Sequence, residues 1–372
     1  MKIKDVATYI KRGITPKYVD KDGLIVVNQK CIKDGTINHE FVKYTSKDKK
    51  FSDEKKIQVG DILINSTGTG TLGRVAYADK KLGFSYVDSH VTILRCENYN
   101  PKFLFYWLRP LEKYIETLGK GSTNQIELSS DIISEIEIPA IDIIKQNKIT
   151  EIVSKYDDLI ENNQKQIKLL EEAAQRLYKE WFVDFRFPGY EDTKFIDGIP
   201  DGWEKLFLSE IAPIVTGKKD ANFGTENGEY PFFTCAQETI KAPSYSFDCK
   251  AVILAGNGDF NVKLHRGKFE AYQRTYVFSP HDTNYLYLLF YAVKNNMRQL
   301  FQGASGSTIR FLTKGMLEEI RVFNPNNNIL NKFTHYCEEY QNKIEAIKKQ
   351  NIVLLEARDR LLPKLMSGEI GV

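Results

Sequence analysis

Residues 119 to 182 and 303 to 366 repeat one another at a fixed spacing of 184. Tyr156 answers Tyr340, Ile160 answers Ile344, and Leu170, Glu172, Ala173, Arg176 and Leu177 answer Leu354, Glu356, Ala357, Arg360 and Leu361. A spacing held through so long a stretch marks a duplicated structural unit. Just upstream, Gly121-Ser122-Thr123 matches Gly306-Ser307-Thr308 with one residue of slippage, and Leu128/Leu312 and Ile136/Ile320 restore the register. Farther upstream only echoes persist: Ile3-Lys-Asp-Val-Ala7 against Leu208-Ser-Glu-Ile-Ala212, Ile62-Leu-Ile64 against Val252-Ile-Leu254, and Phe103 to Leu108 against Tyr285 to Phe290. The chain thus alternates a variable domain with a similar helix, twice.

The repeated parts read as long helices. Apolar positions step by three and four from Ile149 through Ile152, Tyr156, Ile160, Ile167, Leu170, Ala174 and Leu177 to Trp181, interrupted by Asn163. The second copy runs Phe333, Tyr336, Tyr340, Ile344, Ile347, Leu354, Leu361, interrupted by Asn351. Such a seam is that of a coiled coil and needs a partner; the two helices are each other's. Pro139 and Pro188-Gly189 bracket the first. An antiparallel pairing about a pseudo-twofold axis sets Asn163 against Asn351, Ile167 against Ile347, Leu170 against Ile344 and Ile160 against Leu354. A parallel pairing at the repeat's own register sets each asparagine against an isoleucine, and an unpaired buried amide costs about 1 to 3 kcal/mol.

The stretches ahead of the helices carry short apolar runs bounded by Gly, Asn and Asp, such as 62 to 65, 91 to 94, 252 to 255 and 275 to 278, which predict strands. The expected fold is α+β: two mostly-β domains separated by two long antiparallel helices, with an internal pseudo-twofold repeat. The expected divisions are 1 to 138, 139 to 190, 191 to 322 and 323 to 372.

The net charge of +3 is unevenly placed. Residues 1 to 120 carry 22 basic and 14 acidic side chains, residues 121 to 192 carry 8 and 15. A basic first domain suits nucleic acid, and so does an ordinary lysine-rich surface. No apolar run approaches the roughly 18 residues of a membrane span and no signal peptide opens the chain, which implies a cytoplasmic protein with no membrane partner. The five cysteines are scattered without metal-ligand spacing, so neither a disulfide framework nor a zinc site is expected.

Formal motifs fail on context. Gly-Thr-Gly-Thr-Leu-Gly at 68 to 73 has the spacing of a dinucleotide loop, but Arg74-Val-Ala-Tyr77 continues as a strand where a phosphate loop must open a helix. Asn100-Pro101-Lys102-Phe103 resembles the Asn-Pro-Pro-Phe motif of adenine methyltransferases, lacks the second proline, and reads better as a turn into a helix. Pro200-Asp201 lacks the spaced acid and lysine of a restriction nuclease. His39, His90, His265, His281 and His335 form no triad and default to surface or core roles. No catalytic residue, metal ligand or cofactor site emerges.

Polar and basic residues interleaved with glycine and aromatics recur in both halves, and Asn, Gln and Arg pair with base edges while Ser, Thr and Lys anchor phosphates. Candidate DNA contacts are Asn28, Gln29, Lys30, Ser66, Thr69, Arg74, Ser122 and Thr123 in the first half. In the second they are Lys218, Lys219, Asn257, Lys263, Arg266, Gln273, Arg274, Ser307, Thr308 and Arg310. A solvated loop is the competing reading for each.

Taken in order, the variable domain, similar helix, Ile199-Pro-Asp-Gly-Trp-Glu204 opening, Tyr230-Pro-Phe-Phe-Thr234, Gly-Ser-Thr before each helix, and Leu361-Leu-Pro-Lys-Leu365-Met-Ser-Gly-Glu369 resemble a specificity subunit of a type I restriction-modification system. The resemblance covers nearly the whole chain, although the first domain starts at Met1 without its own Gly-Trp-Glu. It implies a non-catalytic reader of a bipartite, asymmetric site in double-stranded DNA. Two modification subunits bringing S-adenosylmethionine, and two motor-nuclease restriction subunits using ATP and Mg, would be its partners, so those cofactors belong to them. A self-contained methyltransferase or nuclease using residues 68 to 103, and a coiled-coil scaffold without a DNA role, are the alternatives.

Overall fold

The structure, a computed structural model, describes residues 1–79, 85–121, 126–306 and 310–372; Ser122, Thr123, Ser307 and Thr308 lie outside the described residues. The chain forms two compact units, Met1–Glu161 with Ile352–Val372, and Asn162–Asn351. Each unit therefore combines one globular part with a stretch of both repeat helices.

In the first unit, β1 (Ala7–Arg12), β2 (Tyr18–Val19), β3 (Leu24–Val27), β4 (Lys43–Thr45), β5 (Ile62–Asn65), β6 (Val75–Tyr77), β7 (Ser85–Val87) and β8 (Val91–Cys96) make two sheets, ordered β1-β8-β5-β6 and β2-β4-β3-β7. Successive side chains of a strand face opposite ways: Ile62 and Ile64 enter one apolar cluster and Leu63 the other. Both faces are covered, so the strand reads as an unbroken apolar run. Helix α1 (Pro101–Leu108) follows, and Asn100 is its cap, accepting from the Phe103 amide at 2.9 Å with Pro101 in the first turn. That is why the asparagine-proline pair stands there. Helix α2 (Ile143–Phe182) is 40 residues long.

In the second unit, β9 (Ile214–Thr216), β10 (Tyr230–Phe233), β11 (Ile240–Ala242), β12 (Phe247–Ala255), β13 (Val262–Ala271) and β14 (Thr275–Phe278) form one sheet ordered β9-β14-β12-β13-β10-β11. Helices α3 (Leu286–Gly303) and α4 (Asn327–Ser367) complete it. Its strand order is that of the first unit, with the single long β13 standing for β6 and β7 together. In both, one pairing is parallel, Val26 against Tyr86 and Phe232 against Glu270, among otherwise antiparallel neighbours. Val252 and Leu254 face one cluster, Ala251 and Ile253 the other, as Ile62, Ile64 and Leu63 do. The faint sequence echoes therefore mark one shared sheet scaffold.

Within each unit, α2 and α4 run antiparallel. In the second unit Asn163 Nδ2 lies 2.8 Å from Asn351 Oδ1, and the Trp181 ring 6.0 Å from Phe333. In the first, Asp157 meets Arg358, and Ile149 and Val153 share a core with Leu362 and Leu365. Asn163 is 6% exposed and also reaches Gln350 Oε1 at 3.3 Å. Asn163→Ala should cost about 1 kcal/mol, read by urea denaturation; no loss would make the pair ornamental to the register. Tyr336, expected in the seam, is 44% exposed at its edge, while Tyr178, Phe182 and Cys337 widen the buried face. Helix α2 also ends six residues before Pro188. The chain leaves it at Phe185, whose left-handed backbone (φ 54°) carries its ring to 5.8 Å from Trp203.

Candidate nucleic-acid interface

The shared scaffold brings the polar loops of each unit to one edge of its sheet. In the first unit, the residue after β5, Ser66, donates its amide to the His90 carbonyl at 2.8 Å and accepts from Leu128 at 2.9 Å. In the second, Gly256 after β12 donates to the Arg274 carbonyl at 2.9 Å and accepts from Leu312 at 2.8 Å. Thr67 and Asn257 come next, bridged to Glu127 and Phe311, which pair back to Lys120 and Ser305. Each unit thus closes a hairpin on the same strand end. Gly13 and Gly217 lock the opposite strand: a Cβ would come 2.0 Å from the Val87 carbonyl oxygen in one and 1.9 Å from that of Ala271 in the other. Only glycine permits that approach.

In the first unit Gln29 sits against Gly68, where a Cβ would meet its Oε1 at 2.5 Å. Asn65 Nδ2 donates to the Gln29 carbonyl at 3.0 Å, and the buried Oε1 has no hydrogen bond. Lys30, Thr69 and Arg74 are accessible at the edge, with Arg74 Nη2 folded back 2.8 Å onto the Gly70 carbonyl. Gly68, Gly70 and Gly73 all have positive φ, so the six-residue motif is a tight turn between β5 and β6. Asn28 and Ser66 are occupied otherwise. The Asn28 side chain accepts from Lys30 N at 2.9 Å and donates to Phe41 O at 2.6 Å, while Ser66, fully buried, bonds to Thr92 Oγ1. The sequence could not distinguish these internal bonds from loop polarity.

In the second unit, Lys219, Asn257, Lys263, Gln273, Arg274 and Arg310 converge. The Gln273 amide donates to Lys219 O at 2.9 Å, its Nε2 reaches Asp220 Oδ1 at 2.7 Å, and Gly258 N donates to Arg310 O at 3.1 Å. Lys263 Nζ donates to Ala236 O at 2.7 Å, and burial pulls its pKa below the ordinary lysine value. Lys219 lies over the Phe223 ring at 4.5 Å and Arg310 over Phe301 at 4.4 Å; Lys218 and Arg274 are exposed. Arg266 departs from this group. Its guanidinium bonds the Tyr287 hydroxyl and pairs with Glu338 of α4 at 3.3 Å, tying the sheet to the helix.

Arg12 and His90 at these edges are not among the residues that the sequence singles out as DNA contacts, whereas Thr67 lies inside the polar run 66 to 74. Arg12 bridges Glu127 at 2.5 Å, neutralising an acid at the hairpin. Thr67 Oγ1 lies 2.7 Å from Nδ1 of the exposed His90. His90 in turn rests on Asp88, which accepts the His90 amide at 2.9 Å and the Tyr18 hydroxyl at 3.3 Å. Burial raises the Asp88 pKa, and the His90 amide bond opposes the rise. No spacing in the sequence marks His90, because the 184-residue register does not extend this far upstream: Ile62 answers Val252 at 190 and Phe103 answers Tyr285 at 182. Among the described residues no group of His, Cys, Asp or Glu is arranged to hold a metal ion, and no helix is long and apolar enough to cross a membrane.

The chain matches the family model described as type I restriction modification DNA specificity domain over residues 1–172 and again over 200–356. It is 35% identical over 178 residues to the type I restriction enzyme EcoDI specificity subunit of Escherichia coli, a match spanning 46% of this chain and 39% of that relative. To the MjaIX specificity subunit of Methanocaldococcus jannaschii it is 27% identical, over 90% of this chain and 85% of the relative. The crystal structure of the type I restriction-modification S subunit from M. genitalium has the same fold, with a TM-score of 0.55 at 19% identity, covering 98% of this chain and 95% of that one. Two copies of one DNA-specificity domain, each with a strand scaffold and a repeat helix, account for the whole architecture, and the chain belongs to the type I restriction-modification DNA specificity family.

Proposed function

We propose that each unit reads one half of a split, asymmetric duplex DNA site, and that the chain itself performs no catalysis. It directs to that site two methyltransferase subunits, which bring S-adenosylmethionine, and two restriction subunits, which use ATP and Mg. The observation that carries this reading is the contrast within the repeat. The same scaffold closes the same hairpin in both units, yet holds Gln29, Thr67 and His90 at one edge and Cys235, Asn257 and Arg274 at the other. A common frame with divergent edge chemistry suits two half-sites of different sequence. Exchanging residues 199 to 322 for those of a relative should change one half of the methylated sequence and leave the other intact, as read by methylation mapping of DNA exposed to the assembled complex. A change in both halves would refute independent readers.

A further inference from the structure

We infer that His90 is a base-reading residue of the first unit, occupying the place that Arg274 occupies in the second. The inference rests on the proposed reading of DNA by both units and deepens it by assigning a specificity residue.

The equivalence is built from backbone bonds. The carbonyls of His90 and Arg274 accept the amides of Ser66 and Gly256, each the first residue past the central strand. The residues that follow them, Val91 and Thr275, accept the amides of Gly13 and Gly217 at 3.0 and 3.1 Å. Two residues before them, Asp88 and Tyr272 donate to Val27 and Phe233, the last residues of β3 and β10, at 3.0 and 2.9 Å. Three ladders place the same seat in both units. Both seats are exposed, and both adjoin the hairpin bridged to Thr67 in one unit and to Asn257 in the other.

The chemistry at the seat differs while everything around it is held. Arginine there presents a forked donor suited to guanine O6 and N7. His90 presents an imidazole whose Nδ1 is anchored by Thr67 Oγ1, and its Nε2 has no hydrogen bond among the described residues. Anchoring one nitrogen fixes the ring plane and leaves the other to meet a base edge. The ring stands on a cleft whose lining also includes Gln29, Thr67, Gly68 and Glu127. The Thr67 bond and the Asp88 bond to the His90 amide hold the seat before DNA arrives, which lowers the ordering cost of contact.

The test uses the assembled methyltransferase complex and a library of duplexes randomised across the methylated site. In His90→Ala, discrimination at one base position of one half-site should fall about tenfold, with the other half unchanged; in Arg274→Ala, the mirror result should appear in the other half. His90→Arg should move the preference at that same position toward guanine, a change that a folding defect cannot produce. The inference is overturned if His90 variants weaken binding equally on all sequences, which marks a phosphate contact, or alter no position. Absence of any sequence preference in the unsubstituted complex would instead overturn the DNA-reading function beneath it.

Discussion

Arg358→Ala is expected to destabilise the first unit by about 3 kcal/mol, because it strips the partner from a charged pair that the fold has largely removed from water. Arg358 is 5% exposed; its Nη1 lies 2.7 Å from Asp157 Oδ1, and its Nε and Nη2 bond Asp359 Oδ1 at 2.8 and 2.7 Å. Asp157 also accepts the hydroxyl of Tyr106 at 2.6 Å. Burial, and then the neighbouring carboxylate, push the Tyr106 phenol far above its ordinary pKa, so it remains a donor. Burial lowers the Arg358 pKa, but the bonds to Asp157 and Asp359 outweigh it and the net shift is upward, so the guanidinium stays charged. Asp157 keeps 27% of its side-chain surface, so water can replace part of the lost bond, which sets the estimate at the lower end of the 3 to 5 kcal/mol range for broken buried pairs. Replacing both partners, Asp157→Leu with Arg358→Met, should recover only part of the loss, since the apolar pair carries no desolvation penalty but leaves the buried Tyr106 hydroxyl without its acceptor. A single-variant loss below about 1 kcal/mol in urea denaturation would show that the pair is effectively solvated.

That pair also shows what sequence pattern carries and what it omits. The seam was legible because apolar spacing reports a helix face directly, and its interruptions at Asn163 and Asn351 fixed a register. Arg358 was not legible: the repeat places it opposite Ala174, which is fully buried in the second unit, so the pattern marks a core position and is silent on the charge that fills it in one copy. The sheets were legible as strands but not as one topology, because what the two units share is the backbone ladder, whereas Val91 to Leu94 and Thr275 to Phe278 share no residue identity. For the same reason the loop candidates separated only in three dimensions. Ser66 and Asn28 are polar because backbone and neighbouring hydroxyl groups inside the fold need partners. Lys30 and Arg274 are polar and exposed, and a list of residue types contains both kinds.

Phe333→Ala should be the costlier change on the second side of the repeat, about 4 kcal/mol by the usual scale for a deleted core ring. Phe333 is fully buried in α4, with the rings of Phe182, Trp181, Tyr178 and Tyr291 at 4.8, 6.0, 6.3 and 6.3 Å. Four aromatic neighbours on two other helices cannot all close on the space, so most of the void stays open. Phe333→Leu keeps much of the volume and should cost under about 1.5 kcal/mol. The repeat supplies the comparison, since the equivalent of Phe333 is the smaller Ile149, buried in a first-unit core that also holds Phe103, Phe105 and Tyr106. A chain of two units need not unfold in one step, and the tryptophans allow each to be followed: Trp181 and Trp203 report the second unit, Trp107 the first. Phe333→Ala should lower the urea midpoint seen by Trp181 and Trp203, and Arg358→Ala the one seen by Trp107. Equal shifts of all three signals for both variants would mean that the continuous helices α2 and α4 bind the two units into one cooperative unfolding transition.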